Sequence, residues 1–507
     1  MTGNLFAALS AGKPPASTAL ILPDGRTIPY AALFERAARL AHRLVMLGVE
    51  PGDRIAVQVE KSAEVLVLYL ASLRVGAIYL PLNTAYTPAE VAYFLGDAEP
   101  RLFVVSPGKA EQSALLAAEV GATLCTLEDD GQGGTLLDGV DALPTRFDDV
   151  PRSPDDLAAI LYTSGTTGRS KGAMLSHGNL LSNAATLAAA WRFGPEDRLL
   201  HALPIYHTHG LFVAINVSLL SGASIRLLPR FDADMLVAGM RDATVLMGVP
   251  TFYTRLLADG RLDRVMTAGM RLFISGSAPL LAETHRAWQE ATGHVILERY
   301  GMTETNMNTS NPYEDERRPG TVGPALPGVE VRVVDEASGA PLAPGAIGMI
   351  EVRGPNVFRG YWRMPEKTAA EFREDGFFIT GDLGRISADG YVEIVGRGKD
   401  LVISGGLNVY PKEVESEIDL LDGVEESAVI GVPHGDLGEA VVAVVVPRLG
   451  AAPAAADILA ALATRLAGFK RPKAVLFADA LPRNTMGKVQ KNVLREAHAG
   501  LFRQPAA

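Results

Sequence analysis

Cysteine and long apolar runs are scarce in this chain, and each shortage excludes a class of protein. Cys125 is the only cysteine among 507 residues, which rules out disulfides within the chain and cysteine-based metal clusters and fits a reducing compartment. No apolar run approaches the roughly 18 residues that cross a bilayer, and residues 440–446, one of the longest, are predicted to form a buried strand. The first residues lack the basic and apolar regions of a secretory signal. We therefore expect a cytoplasmic protein that does not span a membrane.

Positive charge is also in short supply, since the net charge is −11. An acidic surface repels nucleic acid and anionic membranes, so we expect neither as a partner, and any bound anion needs local cations. Apolar residues, in contrast, make up 48% of the chain. That fraction is enough to bury a sizeable core.

Short apolar runs alternate with amphipathic helical patterns from about residue 20 to residue 220. Residues 30–47 have helical spacing and residues 54–57 then start a strand, and the same order returns in residues 63–82. This alternation predicts the α/β fold class, with layered and mostly parallel sheets. Closely spaced short strands in residues 322–391 predict an added β-rich subdomain.

The domain boundary is predicted where glycines and charged residues stand between apolar runs, at residues 396–400. Residues 1–396 then form the large N-terminal domain, and residues 397–507 form a small mobile α+β domain at the C-terminus. An exposed connection of this composition can bend, which makes Lys399 the candidate hinge. An ordinary β-turn is the alternative for the same residues.

The segment with the densest chemistry is residues 163–172, which follow an apolar run and contain three glycines, five hydroxyl side chains and Lys171 before the last glycine. A donor-rich flexible loop of this kind can surround an oligophosphate. It is not a Walker A loop, because lysine precedes glycine and a second short strand, not a helix, follows. The loop is therefore predicted to connect two strands as a hairpin and to bind ATP; a solvated turn is the alternative.

Further segments follow in chain order, each placing polar or small residues after an apolar run. They are Ile205-Tyr206-His207-Thr208-His209-Gly210, Gly248-Val249-Pro250-Thr251, Gly276-Ser277-Ala278-Pro279, Arg299-Tyr300-Gly301-Met302-Thr303-Glu304, Thr380-Gly381-Asp382, Ser404-Gly405-Gly406-Leu407 and Pro482-Arg483-Asn484-Thr485-Met486-Gly487-Lys488. Together with the loop they resemble the acyl-adenylate-forming superfamily of acyl-CoA synthetases, luciferases and peptide-synthetase adenylation domains. The likeness extends over nearly the whole chain.

The resemblance implies the nucleotide site. Its ATP-binding residues are Thr163, Ser164, Gly165, Thr166, Thr167, Gly168, Lys171, Gly276, Ser277, Ala278, Glu298, Arg299, Tyr300, Gly301, Met302, Thr303, Asp382, Arg397 and Lys488. Tyr300 would stack on adenine, Thr303 would contact the α-phosphate, and Glu304 with Thr167 would bind Mg²⁺, for which hard oxygen ligands are suited. Asp382 would accept hydrogen bonds from both ribose hydroxyls. The alternatives are a core tyrosine, a helix-capping glutamate and a plain turn at the aspartate.

Two further roles are implied for the C-terminal part of the chain. Lys488 matches the catalytic lysine that bridges the substrate carboxylate and the α-phosphate, where a cation removes the repulsion between two anions. Gly405 and Gly406 match the loop that admits the arm of coenzyme A, because glycine allows close approach to the backbone. Lys491 is the neighbouring lysine that could instead lie idle in solvent, and a turn before a helix is the alternative at the glycines.

The identity of the acid is predicted from the segments that line the acyl pocket in the family, with His207, Thr208, His209 and Met307 at its wall. Arg255 lies four residues after Thr251, on the same helix face. A cation facing this pocket would be costly if unpaired, so the substrate is expected to carry a second carboxylate, which the arginine fork binds well. Arg286 is a second candidate, and an arginine pointing to solvent is the alternative.

These expectations together describe a malonate–CoA ligase, and the motifs resemble those of malonyl-CoA synthetases. Malonate or methylmalonate, ATP with Mg²⁺, and coenzyme A are the predicted ligands, with Lys488, Thr303 and His207 in catalytic roles. Lysine acetylation at Lys488 by an acetyltransferase is implied as a switch. The rivals are an enzyme that loads a carrier protein, a ligase for another short acid, and a nucleotide-binding protein without catalysis.

Overall fold

The computed structural model describes residues 3–163, 170–404, 407–434, 437–451, 453–466, 468–484 and 487–502. The chain divides into two compact units, the first made of Met1–Glu330 with Val352–Phe378 and the second of Val331–Glu351 with Ile379–Ala507. None of the helices in the described part of the chain combines the length and apolar character needed to cross a bilayer.

The helices of the first unit pack around its sheets. They are α1 (Leu5–Ser10), α2 (Tyr30–Met46), α3 (Ala63–Arg74), α4 (Pro88–Ala98), α5 (Ala110–Glu119), α6 (His177–Ala190), α7 (Asn216–Ser221), α8 (Ala233–Met240), α9 (Pro250–Asp259), α10 (Ala282–Thr292) and α11 (Pro365–Ala370). A π-helix over His209–Ile215 precedes α7. In α2 the residues Leu33, Ala37, Leu40 and Leu44 are buried at helical spacing, so one face of the helix forms part of the core.

The strands of the first unit form sheets of eight and six strands in the described residues. They are β1 (Thr18–Ile21), β2 (Thr27–Pro29), β3 (Arg54–Gln58), β4 (Ile78–Pro81), β5 (Leu102–Val105), β6 (Thr123–Thr126), β7 (Leu157–Thr163), β8 (Lys171–Ser176), β9 (Arg198–His201), β10 (Ser224–Leu227), β11 (Val245–Gly248), β12 (Leu272–Ser275), β13 (Leu297–Met302) and β14 (Asn306–Ser310).

Both sheets are parallel inside and antiparallel only at edge pairs. The larger runs β14-β13-β12-β11-β9-β10-β1-β2 and the smaller β6-β5-β3-β4-β7-β8. The pairs β1–β2, β13–β14 and β7–β8 are antiparallel, and the remaining pairs are parallel. The predicted α/β class with mostly parallel, helix-covered sheets is therefore confirmed.

The second unit is α+β and contains sheets of four and five strands in the described residues. Its elements are β15 (Glu330–Val334), β16 (Gly348–Arg353), β17 (Phe378–Ile386), β18 (Val392–Arg397), β19 (Val402–Ser404), β20 (Leu407–Val409), α12 (Pro411–Asp419), β21 (Val424–His434), β22 (Gly438–Pro447), α13 (Ala455–Ala463), β23 (Ala474–Phe477) and α14 (Lys491–His498). The buried strand predicted at residues 440–446 is the centre of β22.

The packing division separates the residues that the sequence assigned to one β-rich subdomain. Residues 331–351 and 379–391 belong to the second unit, whereas residues 352–378 belong to the first. A boundary of packing differs from a boundary of motion, so the predicted domain boundary between residues 396 and 397 stays a prediction.

Candidate active site

The predicted phosphate loop connects two antiparallel strands. β7 ends at Thr163 and β8 begins at Lys171, and these two residues are paired across the ladder. The hairpin expected from the sequence is therefore present, with its first hydroxyl and its lysine brought side by side. Ser164, Gly165, Thr166, Thr167 and Gly168, which were predicted to bind ATP and Mg²⁺, lie outside the described residues.

Lys171 lies over an aromatic ring and beside a carboxylate. Its Nζ is 3.0 Å from Oε1 of Glu371 and 4.0 Å from the ring centroid of Tyr361. Burial acts to raise the pKa of Glu371, but hydrogen bonds from Lys367, Tyr361 and Lys171 together hold the pKa below its usual value. Glu371 is therefore a carboxylate anion that holds the loop lysine in place.

Glu304 lies in the turn between β13 and β14, with only 6% of its surface exposed. Its Oε1 is 3.4 Å from Oγ1 of Thr163 and 3.2 Å from the phenol oxygen of Tyr361. In the described residues no three acidic, histidine or cysteine side chains form a metal cluster. One carboxylate among hydroxyls suits Mg²⁺, which keeps waters and is held largely by substrate phosphates.

The remaining residues predicted on β13 have different environments. Glu298 is buried and its Oε1 accepts a hydrogen bond from the Gly320 N–H at 3.4 Å. Tyr300, Gly301, Met302 and Thr303 are half-buried along the end of the strand and its turn. Because these four residues retain exposed surface, a nucleotide can reach them, whereas it cannot reach the buried Glu298.

Arg299 is buried, with 3% of its surface exposed. Its guanidinium occupies the space beside Gly276, where an added Cβ would lie 2.5 Å from the arginine Cζ. Nε and Nη2 have no hydrogen-bond partner among the described residues. Burial lowers the pKa of Arg299 to about 9, and the nearby Tyr253 hydroxyl acts weakly in the opposite direction. Such a cation is costly until an anion joins it.

The segment predicted to form the acyl-pocket wall lies near Arg299 at His209, whose pKa is held well below its usual value by burial and then by the charge of Arg299. Nδ1 of this neutral histidine is 3.2 Å from Oγ of Ser277, and its backbone N–H donates to Nδ1 of His207 at 3.2 Å. Thr208 is buried and its hydroxyl has no partner in the described part of the chain. The structure thus brings His207, Thr208 and His209 together with Arg299 and Ser277.

Three other residues predicted to line the acid pocket have different environments. Met307 is buried on β14. Arg255 on α9 and Arg286 on α10 are both exposed, and the guanidinium of Arg255 lies 5.5 Å from the ring centroid of Phe231. Of the three arginines, Arg299 is the one with a buried guanidinium that lacks an ion pair in the described residues.

The second unit holds its own cluster of predicted residues. Asp382 and Arg397 are paired across β17 and β18, and their side chains form an ion pair of 2.9 Å. Burial and then the charge of Arg397 lower the pKa of Lys488 to about 8, while Asp382 acts in the opposite direction. Burial and then Arg397 also lower the pKa of Lys399. Gly405 and Gly406 lie outside the described residues, as do Thr485 and Met486.

Lys491 differs from Lys488 in its partner. Its Nζ is 2.5 Å from Oε1 of Glu415, a buried carboxylate. Lys491 therefore has a structural ion pair and is not the idle, solvated lysine that the sequence suggested.

Sequence reasoning missed three side chains: Tyr361, Glu371 and Lys61. The Lys61 ammonium reaches His201 Nδ1 at 2.6 Å and the carbonyls of His201 and Leu203 at 2.9 and 3.0 Å. His201 Nε2 in turn lies 2.9 Å from the carbonyl of Gly210, so this relay fixes the segment that carries His207 and His209. No local sequence signal could have found the Lys61–His201 and Lys171–Glu371 contacts, since their partners are 140 and 200 residues apart.

Two family models match separate parts of the chain. Residues 8–362 match the family described as AMP-binding enzyme, and residues 413–488 match the AMP-binding enzyme C-terminal domain. The chain belongs to the AMP-binding enzyme family, which confirms the resemblance seen in the motifs.

Individual proteins resemble the chain over nearly its full length. The crystal structure of ATP-bound MatB from Rhodopseudomonas palustris has a TM-score of 0.98 and 62% identity, covering 99% of this chain and 100% of that one. Feruloyl-CoA synthase from an Amycolatopsis species is 37% identical, over 93% of this chain and 94% of its own. Malonate–CoA ligase from Arabidopsis thaliana is 32% identical, over 94% and 86% respectively.

Proposed function

We propose that the protein is an AMP-forming acid–thiol ligase that joins malonate, and also methylmalonate, to coenzyme A. The family and the relatives support ATP-dependent ligation of a carboxylic acid to coenzyme A. The acids that these relatives are named for differ, however, since feruloyl-CoA synthase and malonate–CoA ligase both align along the chain. The choice of acid therefore depends on the pocket.

The buried guanidinium of Arg299 is the observation that supports a diacid. A monoacid with an apolar tail would leave this cation without a partner, at the cost of an uncompensated buried charge. A second carboxylate placed on the same small molecule would supply paired, charge-assisted hydrogen bonds to the free Nε and Nη2. Arg299 therefore replaces Arg255 and Arg286 as our first candidate for the distal carboxylate.

The first half-reaction joins the acid to the α-phosphate. An oxygen of the proximal carboxylate attacks the α-phosphorus, the bond from that phosphorus to the β-phosphate bridging oxygen breaks, and pyrophosphate leaves. Lys171 and Thr163 would contact the phosphates, Thr303 would donate to an α-phosphate oxygen, and Lys488 would hold the carboxylate against the phosphate. Glu304 would hold Mg²⁺, which supplies neutralising charge on the phosphates when bound.

The second half-reaction transfers the acyl group. The sulfur of coenzyme A attacks the acyl carbon of malonyl-AMP and the bond from that carbon to the phosphate oxygen breaks, so that AMP leaves and the thiol proton passes to water. Asp382 and Arg397 would hold the ribose and phosphate of the leaving AMP, and Gly405 and Gly406 would admit the thiol arm. His207 and the neutral His209 would border the reacting carbonyl. Lys399 would be the hinge about which the C-terminal domain turns between the two half-reactions.

Three finer statements stay predictions of the sequence. They are the acetylation of Lys488, the cytoplasmic location and the place of methylmalonate beside malonate. The rivals are a ligase for another short acid, which would prefer that acid to malonate, and an enzyme that loads a carrier protein, which would produce pyrophosphate with malonate but no free malonyl-CoA.

Pyrophosphate release across malonate, methylmalonate, acetate and butyrate, with and without coenzyme A, tests the function. Malonate should be the best acid, and malonyl-CoA should appear only when coenzyme A is present. If no acid in the series stimulates pyrophosphate release, the ligase proposal fails; release without malonyl-CoA favours the carrier-loading rival.

Three variants locate the distal carboxylate. Arg299→Met should lower kcat/KM for malonate roughly a hundredfold, the scale of two lost charge-assisted hydrogen bonds, without harming butyrate. The exposed Arg255→Ala and Arg286→Ala are matched controls that should keep the malonate preference. Selectivity lost in either control, with Arg299→Met still selective, would return the assignment to that residue.

A further inference from the structure

One carboxylate joins the loop lysine to the turn that carries Glu304, and no motif accounts for it. Glu371 follows α11 and accepts from Lys171 and Lys367 on Oε1, at 3.0 and 2.8 Å. Its Oε2 accepts from the phenol of Tyr361 at 2.6 Å. The Tyr361 ring lies beneath the Lys171 ammonium, at 4.0 Å.

The phenol of Tyr361 has one proton and two carboxylates within reach. Its oxygen is 2.6 Å from Glu371 and 3.2 Å from Glu304, and a single O–H can donate fully to only one of them. The shorter distance assigns the proton to Glu371, because charge-assisted O–H bonds to a carboxylate are near 2.6 Å. The Tyr361 proton therefore does not compete with a cation for Oε1 of Glu304.

The same carboxylate also sets the position of the ammonium. Lys171 has three N–H donors, one of which points to Glu371 at 3.0 Å. Its other two donors are then available for phosphate oxygens. Holding a long flexible lysine in this way removes part of the entropy cost of ordering it when a phosphate binds.

We propose that Glu371 is a positioning residue of the phosphate site: it holds the Lys171 ammonium and keeps the Tyr361 proton away from Glu304. This inference rests on the proposed function only in the identity of the ligand, Mg·ATP. Because the partners of Glu371 at this site are Lys171 and Tyr361, it acts through these two side chains. A purely structural ion pair would affect stability and leave the Mg²⁺ dependence alone.

The test is calorimetric binding of ATP at a series of Mg²⁺ concentrations, with neither acid nor coenzyme A present. Glu371→Gln keeps the shape of the side chain but removes its charge, so the Tyr361 proton turns to Glu304. We expect the Mg²⁺ concentration needed for half-maximal ATP affinity to rise roughly tenfold, the scale of one charge-assisted hydrogen bond. Glu366→Gln, an exposed neighbour on α11, is the matched control and should behave as the wild type.

A second substitution separates the proton from the lysine. In Glu371→Gln with Tyr361→Phe the competing proton is gone, so the Mg²⁺ requirement should return towards that of Tyr361→Phe alone. The ATP affinity at saturating Mg²⁺ should be weaker than that of the wild type, because Lys171 has lost its carboxylate partner. Glu371→Asp keeps the charge with a shorter reach and should fall between the wild type and Glu371→Gln, which provides a second variant should the glutamine protein prove unstable.

The proposal is overturned if Glu371→Gln binds ATP with an unchanged Mg²⁺ dependence, or if the double variant keeps the raised requirement of the single one. These results are independent of the acid. A wild type that binds Mg·ATP but releases no pyrophosphate with malonate contradicts the proposed function and leaves the role of Glu371 standing.

Discussion

At the scale of single residues, the environment of a charge decides what it can do. Lys488 and Lys491 are three positions apart, yet Lys491 is neutralised by Glu415 at 2.5 Å, whereas Lys488 lies among Arg397, Lys399, Asp382 and Asp400. Burial and the neighbouring cations make the charged form of Lys488 costly, and an incoming pair of anions relieves that cost. The lowered pKa and the proposed role therefore have one cause.

Lys488 should limit adenylation at alkaline pH. Its folded pKa is about 8, so the ammonium is present below pH 8 and is lost as the pH rises through that value. We expect kcat/KM for pyrophosphate release to fall tenfold per pH unit above about pH 8, because kcat/KM reports the free enzyme. A rate that stays level to pH 10 would contradict the assignment of Lys488 as the bridging cation.

At the candidate site the sequence indicated which residues take part, but it did not indicate which of their side chains are buried. The segment ending in Glu304 was recognised by its resemblance to a family motif, and a cation facing the acid pocket was expected, an assignment that stays a prediction. The sequence pointed to Arg255, which is exposed, because helix spacing says which residues share a face and not which face is covered. The guanidinium of Arg299 on β13 lies beside Gly276, the residue that follows β12, and this contact joins distant parts of the sequence.

At the scale of elements, periodicity predicted regular structure well. The helices expected at residues 30–47 and 63–75 are α2 and α3, and the strands beside them are β3 and β4. The π-helix over His209–Ile215 and the antiparallel pair β13–β14 were not predicted. Both depend on tertiary contacts, such as the Lys61–His201–Gly210 relay and the pairing of Asn183 with the backbone of Met307, which local pattern does not encode.

The start of α6 makes the first unit sensitive to acid. His177 is fully buried and its Nδ1 accepts from the backbone N–H of Leu5 at 3.0 Å. Burial, followed by the charge of Arg152, lowers the pKa of His177 from 6.5 to about 4. The unfolded chain therefore takes up a proton more readily, so this stabilising contribution is complete above pH 6.5 and is lost as the pH falls towards 4.

We expect His177 to account for roughly 2 kcal/mol of the stability lost between pH 7 and pH 5. Urea unfolding followed by tryptophan fluorescence measures this, since all three tryptophans, Trp191, Trp288 and Trp362, belong to the first unit. His177→Gln can still accept from Leu5 and should show a shallower pH dependence; His498→Gln on α14 is the control. If the free energy of unfolding depends on pH in the same way for His177→Gln and the wild type, His177 is not the source of the acid sensitivity.

At the scale of the whole molecule, the order of motifs along the chain predicted the family and its chemistry, but packing distributes the motifs differently from a linear reading. Asp382 and Arg397, which flank the predicted boundary on opposite sides, lie on neighbouring strands of one unit together with Lys488. The pairing of β17 and β18 explains this, because a ladder joins residues 15 positions apart that no turn signal connects.

If residues around 397 form a hinge that serves two half-reactions, two variants should fail in opposite ways. Lys399→Pro fixes φ near −65° and removes a backbone donor, so it should restrict rotation at this position. We expect it to keep pyrophosphate release with malonate in a single turnover, but to lose roughly tenfold or more in the conversion of supplied malonyl-AMP and coenzyme A to malonyl-CoA. Lys399→Ala removes the charge without the backbone constraint, so it separates loss of charge from loss of rotation.

Lys488→Ala should show the reverse pattern, with adenylation lost by roughly a hundredfold and thioester formation retained. Rapid-quench measurement of the two steps distinguishes these patterns, and equal losses in both steps for both variants would mean that one fixed arrangement of the chain carries out the whole reaction.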